Sequence, residues 1–427
     1  MFSDNILSRP QSTDWLSASD QQVWFNHFKS KDANGLKFND FVRFLNYALY
    51  SYSRSFHLKE GSGRQNNDFG YSHQQEMQLF SKFDTRNDHI IDREEFGGMC
   101  QSWLSKIYHP NSALVIVDVQ NDFIDGSLAL INGPAKQDGA EVVPTINNLL
   151  EQCIFDTIVY TQDWHPIDHI GFHANLPMRK YIPKATNGDL AAVKSGVVSN
   201  AKSFVNNEDQ KQAECNKFKY KRLSTKVQVF DTVLFDDGRM EQKLWPVHCV
   251  QNSWGAELHP KLKIAPDSVR IYKGTLPQVD AYSAFWDNMR LNETGLRQEL
   301  NSRKINDVFV CGLALDYCVA ASAIDSFRSG FMTFIVEDAC RGIDNQDIEQ
   351  RKQEMLSMGI IFITSEQVKG YLSLKQGRIS SNCRNKEECG DRRAPSRIPP
   401  SSEIIANKRL ICREMFMNIC FRRALIK

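Results

Sequence analysis

The chain has 427 residues, a formal net charge of +1 and 41% apolar residues. This length exceeds one ordinary domain, and the apolar fraction is sufficient for at least one large hydrophobic core. A near-neutral charge creates no overall field that attracts nucleic acid, so no nucleic-acid partner is expected. The longest apolar runs, near 113–117 and 331–336, are far shorter than the ~20 residues of a membrane-spanning helix, so no span is predicted.

Eleven cysteines are scattered along the chain and form no short disulfide framework. The first residues, MFSDNILSRPQ, lack the basic and then apolar pattern of a secretory signal peptide. These features predict a reduced intracellular protein. We expect it in the cytoplasm, with the nucleus as a second compartment that the sequence leaves open.

Residues 1–108 are rich in Phe, Asp, Asn and Ser and are predicted to form a small helical domain. Within it, the segment KFDTRNDHIIDREEF resembles the calcium-binding loop of an EF-hand. Two residues depart from that pattern, because Arg86 places a cation at a ligand position and His89 replaces the glycine of the sharp turn. The resemblance implies calcium ligands at Asp84, Asp88, Ile90 (through its carbonyl oxygen), Asp92 and Glu95.

An upstream stretch, FKSKDANGLKFNDF, has the same frame but lacks the acidic ligands, so a pair of EF-hand-like units is predicted. Ile91 occupies the position at which paired loops form a short β-bridge. Two interpretations of the Asp84–Glu95 loop stay open. One is weakened calcium binding, and the other is a folded pair that packs or docks without metal.

From Ser112 onwards, strand-like and helix-like segments alternate, which predicts an α/β domain over 112–370. This alternation is typical of a parallel sheet covered by helices on both faces, a three-layer α/β/α arrangement. The predicted strands are Ala113–Val119, Thr157–Thr161, Val269–Tyr272, Val308–Cys311, Phe331–Val336 and Ile360–Ile363. The predicted helices are Val142–Cys153, Asn292–Arg303, Tyr317–Phe327 and Gln346–Met358.

Two segments do not follow the alternation. The polar stretch 174–242 is predicted to be a largely mobile insertion at the rim of the site. The tail, 371–427, carries 13 Lys and Arg against 5 Asp and Glu and is predicted to be basic and mostly disordered. Its end, KRLICREMFMNICFRRALIK, is apolar and basic together, so a surface helix for a partner or an acidic membrane is the alternative to an unstructured terminus.

Three reactive side chains follow predicted strands: Asp118, Lys273 and Cys318. Ligands bind beyond the carboxyl ends of the strands of an open parallel sheet, so these side chains are expected to converge. Cys318 opens a predicted helix, whose dipole favours a thiolate nucleophile. Lys273 would stabilise the thiolate, and Asp118 would accept the thiol proton and later donate it to a leaving amine. The alternatives are a buried structural thiol, a solvated lysine and a helix-capping acid.

A second set consists of Asp163, His165 and His248, which are oxygen and imidazole ligands in a D-x-H motif and a distant third position. Such a set can hold one divalent transition metal: zinc is the expected ion, with manganese or iron as alternatives. His169 is a further candidate ligand. The alternative for each histidine is an ordinary hydrogen-bonded residue.

Phe123, Trp245 and Tyr282 lie close to these motifs in the sequence. Three aromatic side chains at one site could sandwich a flat ring, which favours an aromatic small-molecule substrate. Taken singly, each would more often be a core residue.

A family resemblance rests on the segments VDVQNDF, TQDWHP, LWPVHCV, YKGT with DAYSAF, and CGLALDYCV. Through these segments, residues 113–366 resemble the metal-bearing nicotinamidases of the isochorismatase-like cysteine hydrolase superfamily. The resemblance implies a cis peptide bond between Leu313 and Ala314, with an oxyanion hole formed by the Ala314 and Cys318 amides. The helical amino-terminal domain resembles that of animal, notably insect, nicotinamidases. The implied catalytic triad is Asp118, Lys273 and Cys318, and the implied metal ligands are Asp163, His165 and His248, with His169 as a further one in some members.

The reaction implied by the resemblance is hydrolysis of nicotinamide to nicotinate and ammonia through a cysteine thioester, in NAD salvage. Phe123 and Trp245 would hold the pyridine ring. Two alternatives are a related cysteine amidohydrolase that acts on another small amide, and a calcium-responsive interaction protein with a vestigial hydrolase domain. The sequence leaves a homo-oligomer open.

Overall fold

The computed structural model describes residues 18–31, 33–54, 71–108, 110–183, 227–235, 238–372 and 419–424. Its first part, called the helical unit below, comprises the described residues from 18 to 108. Two helix–loop–helix pairs, followed by a π-helical turn and a short helix, make up this unit. Its helices are α1 (Ala18–Phe28), α2 (Phe38–Arg54), α3 (His73–Phe83), α4 (Arg93–Met99), the π-helical turn Cys100–Leu104 and α5 (Ser105–Tyr108).

The loops of the two helix pairs are joined by an antiparallel bridge. Leu36 and Ile91 exchange two backbone hydrogen bonds, of 2.8 and 2.9 Å, which confirms the bridge predicted at Ile91. Aromatic rings fill the core between the pairs, with Phe96 5.5 Å from Phe25 and 4.9 Å from Phe44 between ring centroids. Tilted and edge-on ring contacts of this kind hold all four helices around one apolar interior.

The strands of the described chain follow the helical unit and form two sheets. The larger sheet has six parallel strands in the order β6, β2, β1, β7, β8, β9, and each lies where the sequence predicts a strand. Neighbours that are distant in sequence require crossover connections, which confirms the predicted α/β class with a parallel sheet. In chain order the strands are β1 (Ser112–Val117), β2 (Thr157–Asp163), β3 (Ile182–Pro183), β4 (Thr232–Phe235), β5 (Met240–Lys243), β6 (Val269–Lys273), β7 (Asp307–Leu313), β8 (Met332–Arg341) and β9 (Ile361–Ile363).

Helices connect the parallel strands and bury their apolar sides against them. α7, for example, buries Val142, Val143, Ile146 and Leu149, which recur at the three- and four-residue spacing of one helix face. The helices of this part are α6 (Asn121–Ile124), α7 (Val142–Gln152), α8 (Leu296–Ser302), α9 (Ala320–Arg328) and α10 (Asn345–Met358), followed by a helix over 365–372.

Two helix starts differ from the prediction. The helix predicted from Asn292 begins at Leu296, directly after Gly295, whose φ of 92° is incompatible with a right-handed helix. The helix predicted from Tyr317 is interrupted, because Leu315–Val319 form a π-helical turn and α9 begins only after it. Turns of this kind occur often at functional sites.

Gly312 explains how β7 can lie directly beside β1 at the edge where β1 ends. Its φ is +115°, and a Cβ atom at this position would lie 2.1 Å from the carbonyl oxygen of Val117. Only glycine permits this approach without displacing the neighbouring strand. The turn that follows β7 therefore stays close to the end of β1.

The described parts of the predicted insertion, 174–183, 227–235 and 238–242, contain short strands, and its mobility stays a prediction. β3, β4 and β5 form a three-stranded antiparallel sheet in that order. Residues 184–226 of the insertion lie outside the described residues. The small sheet has its own apolar cluster, which consists of Ile170, Leu176, Val233, Phe235 and Leu244.

The mostly disordered tail stays a prediction, although its residues 419–424 are helical and packed. Ile419, Cys420 and Ala424 are 1%, 0% and 3% exposed, so this segment is neither a free terminus nor a helix that presents its apolar face to solvent. Residues 373–418 lie outside the described residues. No helix in the described part of the chain is both long and apolar enough to cross a membrane.

Candidate active site

Four polar side chains from separate strands meet at one edge of the parallel sheet. Asp118 directly follows β1, Asp163 ends β2, Lys273 ends β6, and Cys318 lies in the turn after β7. Because β6, β2, β1 and β7 are neighbours in the sheet, their carboxyl ends lie side by side. All four side chains are buried, so their charges must be paired with one another.

The Lys273 ammonium lies at the centre of this group. Its Nζ atom lies 2.9 Å from Asp118 Oδ2 and donates hydrogen bonds to Asp163 Oδ1 at 2.5 Å, to the Ala281 carbonyl at 3.0 Å and to Cys318 Sγ at 3.2 Å. Burial would lower the pKa of Lys273, but the two carboxylates outweigh this and raise the pKa well above its usual range. Lys273 is therefore a permanent cation in contact with the thiol and with both acids.

Asp118 is held in place by β2. Its Oδ1 atom accepts a hydrogen bond of 2.6 Å from the Thr161 hydroxyl, and its φ of 48° turns the chain immediately after β1. Burial raises the pKa of Asp118 to about 6, although the Lys273 ammonium opposes this effect. A carboxyl group with a pKa near neutrality is well matched to accept and return a proton.

The surroundings of Cys318 favour the neutral thiol over the thiolate that the sequence led us to expect. Burial raises the pKa of the Cys318 thiol well above its usual range, although the Lys273 ammonium lowers it in part. The residue lies inside the π-helical turn Leu315–Val319, which begins the helical stretch that continues as α9. The ligand atoms of Asp118, Asp163 and Cys318 all lie within 4.8 Å of one another, so an acceptor for the thiol proton is near.

The chain adopts a cis peptide bond between Leu313 and Ala314, as predicted. The carbonyl oxygen of Ala314 accepts hydrogen bonds from the amides of Tyr317 and Val319, each of 3.1 Å, which close the π-helical turn. Ala314 and Cys318 both line the cavity described below. The residues of the predicted oxyanion hole are thus adjacent in space.

Asp163, His165 and His248 form a second group on the far side of Lys273. The Nε2 atoms of His165 and His248 lie 3.6 and 3.9 Å from Asp163 Oδ2. These separations are too long for hydrogen bonds, but they suit ligands that share one ion at bond lengths of ~2.0–2.2 Å.

The hydrogen bonds of the two imidazoles fit a metal site. His165 Nδ1 lies 2.9 Å from the Gly274 carbonyl oxygen, and His248 Nδ1 lies 2.8 Å from that of Pro246. A carbonyl only accepts, so each Nδ1 carries a hydrogen, and the Nε2 atom beside Asp163 is the one that would bind an ion in each neutral ring. Three ligand atoms of the types that bind zinc therefore converge.

The charges in this group also favour a cation. Burial would raise the pKa of Asp163, but Lys273 and then His165 hold it far below its usual range, so Asp163 is a carboxylate. Burial and the neighbouring His165 lower the pKa of His248 to about 4, which keeps that imidazole neutral. For His165, burial lowers the pKa, but the Asp163 carboxylate outweighs this effect and the pKa is raised.

His169 lies beside this group but faces a different acid. Its ring stacks on that of His165 at 4.1 Å between centroids, and its Nδ1 atom accepts a hydrogen bond from the Gly171 amide. His169 converges with His165 and Asp280 rather than with Asp163. Burial, followed by the effect of His165, lowers the pKa of His169 to about 3, so it is a neutral imidazole.

A cavity of about 360 Å³, including its open mouth, connects the thiol with the histidines. All three aromatic residues named from the sequence line it: Phe123, Trp245 and Tyr282. Trp245 Nε1 donates to the Tyr282 hydroxyl at 3.3 Å, which fixes these two rings relative to each other. The full lining is Phe123, Leu128, Asp163, His165, Trp245, His248, Asp280, Tyr282, Ala314, Tyr317, Cys318 and Ile343.

Several supporting residues were not identified from the sequence. Gln120 donates to the Asp163 carbonyl and accepts from the Asp163 amide, at 2.8 and 2.9 Å, and so joins the ends of β1 and β2. Asp122 accepts a 2.7 Å hydrogen bond from the amide of Cys249 and holds the loop that carries His248. Both belong to the motif VDVQNDF, but their residue types alone do not separate a buried support from a surface polar residue.

Lys243 links the small antiparallel sheet to the turn that carries the thiol. Its Nζ atom donates a 2.6 Å hydrogen bond to the Tyr317 hydroxyl and lies 5.5 Å from the centre of the Trp245 ring. Trp245 and Tyr317 pack edge to face at 4.9 Å. The small sheet, which includes described parts of the insertion, therefore contacts the cavity wall through Lys243 at the end of β5.

The Asp84–Glu95 loop is not arranged around a cation. Arg86 forms an ion pair with Asp92, and its Nε atom lies 3.7 Å from Glu95 Oε1. The same Glu95 oxygen accepts hydrogen bonds from the backbone amide and the hydroxyl of Thr85. Within the described residues, the acids of this loop do not appear among the groups whose ligand atoms converge.

Comparisons with known proteins agree with this architecture. Residues 112–367 match the family model of the isochorismatase domain. A nicotinamidase of Acinetobacter baylyi is 34% identical over 259 residues, which cover 60% of this chain and 94% of that protein. A nicotinamidase of Escherichia coli is 29% identical over 259 residues, which cover 60% of this chain and 95% of that protein.

Among solved structures, a nicotinamidase/pyrazinamidase of Acinetobacter baumanii aligns at 36% identity. The alignment covers 60% of this chain and 98% of that chain, with a TM-score of 0.45. The family model alone spans more than half of the chain and includes every strand of the parallel sheet and every residue of the site. The chain therefore belongs to the isochorismatase family.

Proposed function

We propose that this protein is a nicotinamide amidohydrolase that converts nicotinamide and water to nicotinate and ammonia. The observation that carries the proposal is the convergence of a buried acid, ammonium and thiol, through Lys273, beside an Asp–His–His group in one aromatic cavity. The two curated relatives named above are nicotinamidases, and the alignments with this chain cover almost their whole length. We further propose that this reaction serves NAD salvage.

The cavity suits a flat heteroaromatic amide. Phe123, Trp245 and Tyr282 supply ring walls on several sides, and the cavity opens onto both the thiol and the histidines. A ring held between these walls would place a carboxamide carbon near Cys318 Sγ while its ring nitrogen faces His165 and His248. Orientation of this kind lowers the entropic part of the barrier.

Asp118, Lys273 and Cys318 have different tasks in the first half of the reaction. Asp118 accepts the thiol proton as the sulfur attacks the carboxamide carbon, and the Lys273 ammonium stabilises the negative charge that develops on the sulfur. The carbonyl oxygen of the tetrahedral intermediate lies towards the Ala314 and Cys318 amides, which act as an oxyanion hole. Asp118 then returns the proton to the leaving nitrogen, and ammonia departs.

A thioester between Cys318 and the nicotinoyl group remains. Asp118, again a carboxylate, removes a proton from a water molecule that attacks the thioester carbon. The carbon–sulfur bond breaks, the thiol regains its proton and nicotinate leaves. Each proton thus passes through one carboxyl group whose pKa lies close to neutrality.

Asp163, His165 and His248 would hold a divalent transition metal, with zinc as the expected ion and manganese or iron as alternatives. When bound, the ion supplies a Lewis-acid contact for the pyridine nitrogen. The Nδ1 hydrogen bonds to Gly274 and Pro246 orient the two imidazoles for this role. His169, stacked on His165, supports that ring and is the remaining candidate ligand.

The helical unit is proposed to be an EF-hand-like pair, as found in animal nicotinamidases, because two helix–loop–helix pairs share the Leu36–Ile91 bridge. The protein is proposed to act in the cytoplasm, with the nucleus and a homo-oligomer left open by the sequence.

An interaction protein with a vestigial hydrolase domain is disfavoured, because acid, ammonium and thiol are all in place. A related amidohydrolase without the metal group is disfavoured by the Asp–His–His convergence.

Replacement of the nucleophile tests the mechanism directly. Cys318→Ala should lower kcat for ammonia release from nicotinamide by about 10⁴-fold or more, since no other group can form the thioester. Cys153→Ala, which also removes a buried thiol but at the end of α7, should keep normal turnover. Ammonia release at the normal rate by folded Cys318→Ala protein would refute the mechanism.

Removal of one imidazole tests the metal group. His248→Ala should reduce the metal content per chain and raise KM for nicotinamide by at least about 10-fold, because one of three ligands is lost. Elemental analysis and steady-state kinetics measure the two effects. His173→Ala is the matched control, since His173 Nε2 bonds to the Val227 carbonyl instead. Full metal occupancy in His248→Ala would show that His248 has a structural role.

The pH dependence tests the role of Asp118. With a raised pKa of about 6, Asp118 is a carboxylate above that pH and a neutral acid below it. The value of kcat/KM should therefore fall about tenfold per pH unit below 6 and level off above it. The Asp118→Asn variant, measured in the same buffers, should have a low kcat/KM that does not change with pH. A wild-type profile that is flat from pH 5 to 8 would contradict the assignment of Asp118 as the base.

Calcium binding by the Asp84–Glu95 loop should be weak and should change the hydrolysis rate little. Arg86 already pairs with Asp92, so an ion would have to displace this cation. Isothermal titration calorimetry measures the affinity, with Glu95→Gln as the variant that removes a bidentate ligand. A sub-micromolar affinity in the wild type that disappears in Glu95→Gln would contradict this expectation.

A further inference from the structure

The carboxyl-terminal turn, 419–424, lies where the helical unit meets the parallel sheet. We propose that this junction is a binding surface for residues 419–424, and that the docked turn fastens the helical unit to the catalytic domain. The isochorismatase match ends at residue 367, so the turn lies outside the matched domain, although its partner Asp307 lies within it. Three independent contacts support it: one to the helical unit, one to the sheet and one apolar.

The contact with the helical unit is made by Trp103 in the π-helical turn Cys100–Leu104. Its indole Nε1 atom donates a 2.9 Å hydrogen bond to the carbonyl oxygen of Cys420. Trp103 and Cys420 are 1% and 0% exposed. An indole N–H that is buried to this extent needs an acceptor, and the carboxyl-terminal turn provides it.

The contact with the sheet is an ion pair. The guanidinium of Arg423 binds the carboxylate of Asp307, the first residue of β7, through both carboxylate oxygens. The Tyr371 hydroxyl donates a 2.6 Å hydrogen bond to the same carboxylate. Arg423 also donates to the carbonyl oxygen of Lys106, so one side chain bridges the helical unit and the sheet.

Both charges of the Arg423–Asp307 ion pair are buried. Asp307 is 0% exposed and Arg423 is 7% exposed, so both charges have left water. Desolvated charges persist in a fold only when they are paired and hydrogen-bonded, and loss of one partner is strongly destabilising. A charged terminus that only rested on the surface would keep its guanidinium in solvent.

Apolar contacts complete the surface. Ile419 and Ala424 are buried, and Phe421 lies 5.9 Å from the Tyr71 ring, which belongs to the helical unit. The turn thus combines an apolar face with the buried guanidinium of Arg423. The junction offers the complementary features, an indole donor, a carboxylate and aromatic rings.

Asp307, to which the turn is docked, lies far from the catalytic cavity. Asp307 begins β7, whereas the cavity lies beyond the carboxyl end of the same strand, about 20 Å away at ~3.3 Å per residue. Release of the turn should therefore loosen the helical unit and leave turnover of the catalytic domain nearly unchanged.

The reactivity of Cys420 provides the test. In the full-length wild type, alkylation of Cys420 by iodoacetamide, followed by peptide mapping, should be at least ~10²-fold slower than in denaturant, because the thiol is buried in the docked turn. Cys153 serves as an internal reference for global unfolding. Reaction of Cys420 at the rate of the denatured chain in native wild type would overturn the proposal.

Variants then test Arg423. Arg423→Met should accelerate alkylation of Cys420 by at least ~10-fold while Cys153 stays protected and kcat/KM for nicotinamide remains within about twofold of wild type. Arg422→Met is the matched control, since this neighbouring arginine has an Nη1 atom without a hydrogen-bond partner among the described residues. It should leave the alkylation rate unchanged.

Arg423→Lys keeps a positive charge but loses the planar fork, and it is the milder variant if Arg423→Met does not fold. Its Cys420 should react at an intermediate rate. Equal alkylation rates in the Arg423 variants and in Arg422→Met would overturn the assignment of Arg423 as the residue that fastens the turn.

Discussion

The buried ammonium of Lys273 is the interaction on which the site depends. It is within bonding distance of two carboxylates, from Asp118 and Asp163, and of the Cys318 thiol, all without access to water. Two acids this close would repel each other without an intervening cation. Lys273 also ties the two halves of the site together, because it holds one oxygen of Asp163 while the other faces His165 and His248.

The sheet makes this arrangement possible. The order β6, β2, β1, β7 aligns the strand ends that carry Lys273, Asp163 and Asp118 and the turn that carries Cys318. Glycine residues allow the close approaches that follow. At Gly274, a Cβ atom would lie 2.3 Å from the His165 ring, so glycine directly after Lys273 is what lets this imidazole lie against β6. The same few strand ends therefore carry both the reactive side chains and the glycines that let those side chains approach one another.

Local pattern predicts the strands, most helices and the polar residues at strand ends, because each depends on a few neighbouring positions. Long-range contacts are not visible in that pattern. Thr161 binds Asp118, and Gln120 binds Asp163, only because β1 and β2 pair in one register. The same limit applies to the packing of residues 419–424, since Arg423 and its partner Asp307 are 116 positions apart. The burial that raises the pKa of the Cys318 thiol is likewise a result of long-range packing.

The two acids of the site differ in what surrounds them, and this difference separates their functions. Asp163 has Lys273 and His165 beside it, and its pKa is held far below the usual range, so it stays an anion suited to a cation. For Asp118, burial outweighs the attraction of Lys273, and the pKa rises to about 6. Carboxyl groups whose environments move their pKa values apart can serve as fixed charge and as proton carrier at one pH. Because both contact one ammonium, their unequal surroundings decide which acid moves the proton.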